Sequence, residues 1–214
     1  MNEEIRSLLY PFGFIAQLAF GLRFIVQWMA SEKAKKMITP KLFWHLSIVG
    51  NLLLLIHSLI QLHFPMSLAQ SQNLVLSWRN INLLGPEKKK VQFRSVVLLL
   101  ASIAFLTTAF FAMQEGTISW IATPSTLNTS SGVHLFGIVG IVCFGLRFWV
   151  QWWQAEHNNK GSLTESFWWI SLSGAVICAI YFFITKDWVN FIGPLLSLVP
   201  YSRNLYFMKR ATTS

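Results

Sequence analysis

Long apolar runs separated by short polar and basic stretches dominate the chain. Residues 8–30, 42–62, 95–113, 134–153, 167–185 and 188–208 each reach the ~20 residues that a helix needs to cross ~30 Å of hydrocarbon. The runs 42–62, 95–113 and 167–185 carry no charge, and the others hold only Arg23, Arg147 and Arg203. A seventh run, 65–84, is weaker because Gln70, Ser71, Gln72, Asn73, Arg79 and Asn80 interrupt it. By itself it reads as a re-entrant or surface segment.

Internal repetition turns this weak run into a span. Phe20-Gly21-Leu22-Arg23-Phe24-Ile25-Val26-Gln27-Trp28 recurs as Phe144-Gly145-Leu146-Arg147-Phe148-Trp149-Val150-Gln151-Trp152, 124 positions later. Without a gap, the same offset pairs Glu32 with Glu156, Phe43-Trp44 with Phe167-Trp168, and Arg79-Asn80 with Arg203-Asn204. Across positions 10–83 there are 22 identities in 74 aligned pairs. The run 65–84 aligns with an apolar run in the second copy and is accepted on that ground.

Two three-helix repeats, 8–84 and 133–209, then flank one linker helix, 92–114. Three spans would invert the second copy, and the extra helix restores its direction. The expectation is an all-α integral membrane protein of seven transmembrane helices, with 3+1+3 parallel repeats about an axis along the membrane normal.

Composition agrees. Charged residues make up 12% of the chain and hydrophobic residues 54%, where soluble domains carry ~25% charge. The net charge of +9 does not point to nucleic acid, because the cations cluster between apolar runs. With the N-terminus outside, one set of loops holds 13 of the 17 Lys and Arg residues. The opposite side keeps Arg6 and Lys186, and the segment 114–133 holds no cation. This predicts an N-out, C-in, multi-pass membrane protein. The acidic N-terminus, without a small-residue cleavage site, does not read as a removable signal.

The polar residues inside the spans carry the candidate chemistry. Arg23 and Gln27 share one helix face, as do Arg147 and Gln151. All eight acids lie at or outside the span ends, so neither arginine meets a carboxylate at its own depth. A charge in hydrocarbon costs at least ~2.5–3.5 kcal/mol. Two uncompensated guanidiniums, brought together by the pseudo-twofold, would receive a phosphate or carboxylate bidentately. The alternative is that each snorkels to the helix end and serves structure alone.

Arg79, Asn80, Arg203 and Asn204 lie nearer the span ends, where an anchoring role competes with ligand binding. Asn51 is a polar candidate without a polar equivalent, since Ala175 takes its place in the second copy. His57 reads as an interhelical partner. Gly13, Ala16, Gly21, Gly137, Gly140 and Gly145 read as close packing. Trp28, Trp120, Trp152, Trp153 and Trp188 suit an interfacial belt, and Trp28 and Trp152 could also stack on a sugar. Cys143 and Cys178 suggest neither a disulfide nor a metal site. No hydrolase, P-loop, zinc or dinucleotide signature is present, so no enzyme and no cofactor is expected.

The repeated Gly-Leu-Arg-Phe-x-Val-Gln-Trp, its following Glu, the later Phe-Trp-x-x-Ser-x-x-Gly and the Arg-Asn pair resemble the lipid A biosynthesis N-terminal domain family. That module precedes the glycosyltransferase in some lipid-A-disaccharide synthases and also occurs alone. The resemblance implies lipid A metabolism, and with it a bacterial cytoplasmic (inner) membrane, without implying catalysis here. The three-helix repeats with a linker also look like the SWEET and SemiSWEET sugar transporters in architecture. Two intramembrane arginines depart from those neutral-sugar pores and favour an anionic substrate.

Three functions compete. The first is a carrier or flippase for a phosphate-bearing lipid or lipid-linked sugar. The second is a non-transporting anchor that presents lipid to a glycosyltransferase partner. The third, a lipid-modifying enzyme, lacks catalytic groups. Polar residues at midplane depth favour the first, with Arg23, Gln27, Trp28, Asn51, Arg79, Asn80, Arg147, Gln151, Trp152, Arg203 and Asn204 as candidate contacts for the anionic lipid.

Overall fold

A computed structural model describes residues 3–34, 38–86, 89–113, 130–158 and 164–212. Among these residues the regular structure is helical and no strand occurs. Helix α1 (Glu3–Leu9) passes through a 3-10 turn at Tyr10–Phe12 into α2 (Gly13–Ala34). Pro11 lies in that turn and supplies no backbone N–H. There follow α3 (Lys41–Ile60), α4 (Phe64–Leu83), α5 (Phe93–Ala112), α6 (Ser131–Asn158), α7 (Glu165–Ile184) and α8 (Trp188–Thr212). Among the described residues five stretches are long and apolar enough to cross a membrane: Glu4–Ala34, Lys41–Ile60, Phe93–Ala112, Ser131–His157 and Glu165–Ile184. Trp120 and the rest of 114–129 lie outside the described residues, as do Lys35, Lys36, Lys88 and Lys160.

Helices α4 and α8 are the less apolar ones. In α4 the reason is visible: Gln70, Ser71, Gln72, Asn73, Ser77, Arg79 and Asn80 are all buried. Its polarity belongs to an inward face, which a run average cannot distinguish from a surface segment.

The duplication is carried into the backbone. Helices α3 and α7, and the starts of α4 and α8, are spaced by the same 124 positions as the sequence repeat. Leu62 and Lys186, at that spacing, are the described non-glycine residues with positive φ, 55° and 56°. Each closes a Schellman cap. His63 N–H reaches Ser58 O at 2.8 Å, and Asp187 N–H reaches Phe182 O at 3.0 Å. Holding an L-residue there costs ~1–2 kcal/mol, and both copies tolerate it to turn tightly into the next helix.

Helix α3 packs between α2 and α4, and α7 packs between α6 and α8. Between the repeats, α2 meets α8 and α4 meets α6, while α5 lies on α4. Exchanging the two copies converts the first of these inter-repeat contacts into the second, so a pseudo-twofold relates them. Helices α2 and α8 run in the same sense. Gln17 donates to Val189 O near their starts, and Glu32 pairs with Arg203 near their ends.

Glycine packing divides unexpectedly. A Cβ on Gly13 would strike Val189 and His57, one on Gly137 would strike Tyr181, and one on Gly140 would strike Ile177. These are the expected close contacts. Gly21 and Gly145, the equivalent glycines of the repeated motif, have nothing within 4 Å of such a Cβ. Close packing does not explain them.

Candidate functional site between the repeats

Arg23 of α2 and Arg147 of α6 are 4% and 3% exposed. Arg23 donates from Nη1 to Ser47 Oγ at 3.2 Å, and its Nε has no partner. Its guanidinium lies 4.7 Å from the Phe20 ring centre and 4.9 Å from that of Phe24. Arg147 donates from Nη1 to Tyr201 Oη at 2.8 Å, and its Nε is likewise unpartnered. The rings of Phe144 and Phe148 flank it at 3.4 and 4.6 Å. Aromatic faces offset part of the desolvation of both cations. They do not neutralise them.

Both arginines line one cavity of about 50 Å³ between the repeats. Its walls repeat the symmetry: Phe20 and Phe144 are equivalent positions, as are Asn73 and Ser197. Asn51 and Gln70 add polar groups from the first copy. Asn51 donates to Ser77 Oγ at 3.1 Å, while Gln70 Oε1 is buried without a partner. At this size the cavity admits a few water molecules, so a larger headgroup requires the repeats to part.

The other candidates are distributed elsewhere. Gln27 and Gln151 were expected to face each other beside the arginines, and the structure separates them. Gln151 and Asn80 exchange two amide hydrogen bonds, at 3.0 and 2.6 Å. Next to them Arg79 grips Glu156 with both branches, Nε to Oε1 at 2.6 Å and Nη2 to Oε2 at 3.0 Å. Its remaining Nη1 donates to Asn82 Oδ1 and Val91 O. Trp152 is buried here: its Nε1 donates to Glu156 at 2.8 Å, and its ring stacks on Phe93 at 5.3 Å. The expectation of a belt position for Trp152 is therefore corrected. This network is saturated and holds α4 against α6.

The equivalent place between α2 and α8 is open. Gln27, Trp28, Arg203 and Asn204 border a lateral groove of about 360 Å³. Glu32 accepts from Arg203 and from Trp28 Nε1. Trp28, Trp153 and Trp188 are exposed, in keeping with a belt. His57 is buried, and its Nδ1 has no partner.

At the opposite end of the bundle, Asp187 accepts from Tyr10 Oη at 2.9 Å and from the Asn190 backbone and side chain. Tyr10 Oη also accepts from Val189 N–H, so the turn before α2 is tied to the start of α8. His63 lies buried nearby, and burial holds its imidazole below the usual range. Among the described residues no group of His, Cys, Asp and Glu could hold a metal ion.

Sequence reading missed Gln17, Asn190 and Ser197 as cavity residues. It also treated Gln70 and Asn73 only as defects in a span. The signal was present, because polar residues clustered on the poorest span imply an inward polar face.

The profile of the lipid A biosynthesis N-terminal domain matches the chain twice, at residues 12–82 and 136–206, and the chain belongs to this family. Lipid-A-disaccharide synthase of Chlamydia trachomatis serovar D is 35% identical over 218 residues, covering 97% of this chain and 35% of that protein. The Chlamydia muridarum synthase is 35% identical over 215 residues with the same coverage. That of Chlamydia pneumoniae is 34% identical over 204 residues, covering 92% of this chain and 33% of its own length. The chain thus spans about a third of these relatives. No solved structure matches it.

Proposed function

We propose that the protein is a carrier for a phosphate-bearing lipid or lipid-linked sugar in lipid A or envelope glycan metabolism. One observation carries this reading: each repeat contributes a buried guanidinium without a carboxylate to a single cavity at their interface. In hydrocarbon that arrangement is expensive unless an anion visits it. The helices would act as seven spans in 3+1+3 parallel repeats, N-out and C-in, in a bacterial inner membrane. The shared sense of α2 and α8 and the distribution of cations support that topology. Alternating access would come from the repeats rocking about the arginines.

The decisive measurement is leaflet exchange of a fluorescent polyprenyl-phosphate sugar in liposomes, without nucleotide. Glu32 and Arg203, replaced by cysteines in a background lacking Cys143 and Cys178 and bridged with a short bis-methanethiosulfonate, which forms a reducible disulfide to each, would lock α2 to α8 away from the cavity. Exchange should stop in the bridged protein and return on reduction. If bridging leaves exchange and the cellular role intact, the carrier reading fails. The relatives favour the second reading, a module that presents lipid to a glycosyltransferase, because they bear a synthase name and are about three times as long. A locked protein that still supports its cellular role would favour that alternative.

Topology has its own test. In a background lacking Cys143 and Cys178, Lys186→Cys should react with an impermeant thiol reagent in intact cells. Lys89→Cys should react only after permeabilisation. The reverse pattern would overturn the charge-based orientation.

A further inference from the structure

Gly21 and Gly145 pose a question that packing leaves open. Each lies inside a helix, where Gly costs ~1 kcal/mol relative to Ala, and a methyl group would meet nothing at either. Both border lateral grooves. Gly21 borders the one between α2 and α8, and Gly145 borders a larger one, about 710 Å³, walled by α4, α5 and α6. The larger groove is almost wholly apolar, with Leu68, Ala101, Ala104, Val142 and Trp149 along its walls. It meets the arginine cavity directly: Ala69, Asn73, Ile141 and Gly145 line both. Arg147, whose Nε is buried and unpartnered, lies two residues beyond Gly145.

We infer that the α4–α5–α6 groove holds the hydrocarbon chain of the anionic lipid whose headgroup the arginine cavity receives. This rests on the headgroup reading given above and adds where the chain lies. The groove follows α6 from Ile138 to Trp153, about 22 Å at ~1.5 Å per residue. Its lining is almost wholly apolar along that length and it opens into the cavity of the two arginines, so the occupant that suits both is an amphiphile with an apolar chain and an anionic head. Gly145 stays bare because a side chain there would stand at the junction where chain and headgroup separate. Helix α5 explains the inequality of the grooves: it packs on α4 and adds a third wall that the second repeat lacks.

The test uses the full chain in phosphatidylcholine nanodiscs, with long-chain phosphatidic acid carrying a mid-chain diazirine as probe. Dihexanoyl phosphatidic acid serves as a nearly chainless competitor. Photolabelling should fall on the peptides containing Ala104 and Val142. Gly145→Leu and Ala104→Trp should each weaken long-chain binding about tenfold. Ala104→Trp should leave binding of the short-chain lipid within about twofold. Arg147→Ala should weaken both lipids. Gly145→Ala, which meets open space, provides the folded control should Gly145→Leu fail to fold. Wild-type long-chain affinity in Ala104→Trp would overturn the groove assignment even with the arginine site intact. Unchanged short-chain binding in Arg147→Ala would overturn the headgroup half, whatever the groove variants do. Labelling of the Ala104 and Val142 peptides by diazirine phosphatidylcholine as strong as that by diazirine phosphatidic acid in the wild type would identify ordinary bilayer lipid and sink the proposal.

Discussion

Replacing Glu156 by Ala is expected to destabilise the protein by about 3–5 kcal/mol, because it strands a buried guanidinium. Arg79 and Glu156 are joined bidentately, with side chains only 4% and 12% exposed. The carboxylate also accepts from Trp152, so its loss removes a partner from two buried groups. Glu32→Ala breaks the equivalent pair in the other half and should cost no more than ~1 kcal/mol, since those side chains are 59% and 30% exposed. Thermal unfolding in detergent, with an intact wild-type control, measures both. Comparable losses would mean that the α4–α6 clamp does not anchor the repeats. The contrast also locates flexibility at that end of the bundle: α4 and α6 are fastened by a saturated network, while the Glu32–Arg203 end of the α2–α8 contact is held by an exposed pair beside an open groove.

How much of this was legible in the sequence depends on where each residue's environment is determined. The helical class and the apolar stretches follow from local composition. The cavity arginines were legible for a global reason, since no acid occurs at their depth anywhere in the chain. Gln27 and Gln151 were misplaced because the i, i+4 rule fixes only a shared helix face. One turn past the arginines, Gln151 reaches Asn80 on α4, whereas Gln27 borders the gap beside α8. The partner of Arg147 was equally hidden. Tyr201 supplies it, and the equivalent position in the first copy is Ser77. Trp152 is drawn inward by Phe93 on α5, the helix outside the repeat, so no comparison of the two copies could reveal it. Gly21 and Gly145 show the limit most clearly, because a sequence cannot distinguish a glycine that admits a helix from one that keeps a space empty.

Arg23→Ala and Arg147→Ala should each weaken binding of a phosphate-bearing lipid roughly ten- to hundredfold, corresponding to ~1.5–3 kcal/mol for a lost charge-assisted contact. The two need not be equal. Arg147 is held by Tyr201 at 2.8 Å, whereas the hydrogen bond from Arg23 to Ser47 is longer, 3.2 Å. Tyr201→Phe frees Arg147 without removing its charge, so it should change affinity far less than Arg147→Ala. Lysine at either position should restore binding only in part, because it keeps the charge and loses the planar fork and its stacking on Phe144 or Phe20. The structural alternative makes the opposite forecast. Removing a buried, uncompensated cation from hydrocarbon relieves its desolvation cost, so a purely structural arginine could be replaced by Met with stability kept and lipid affinity unchanged. Lipid titration of Arg23→Met and Arg147→Met beside their melting curves decides between them. Stable variants that no longer bind support the anion site, and stable variants that bind like wild type place the ligand elsewhere.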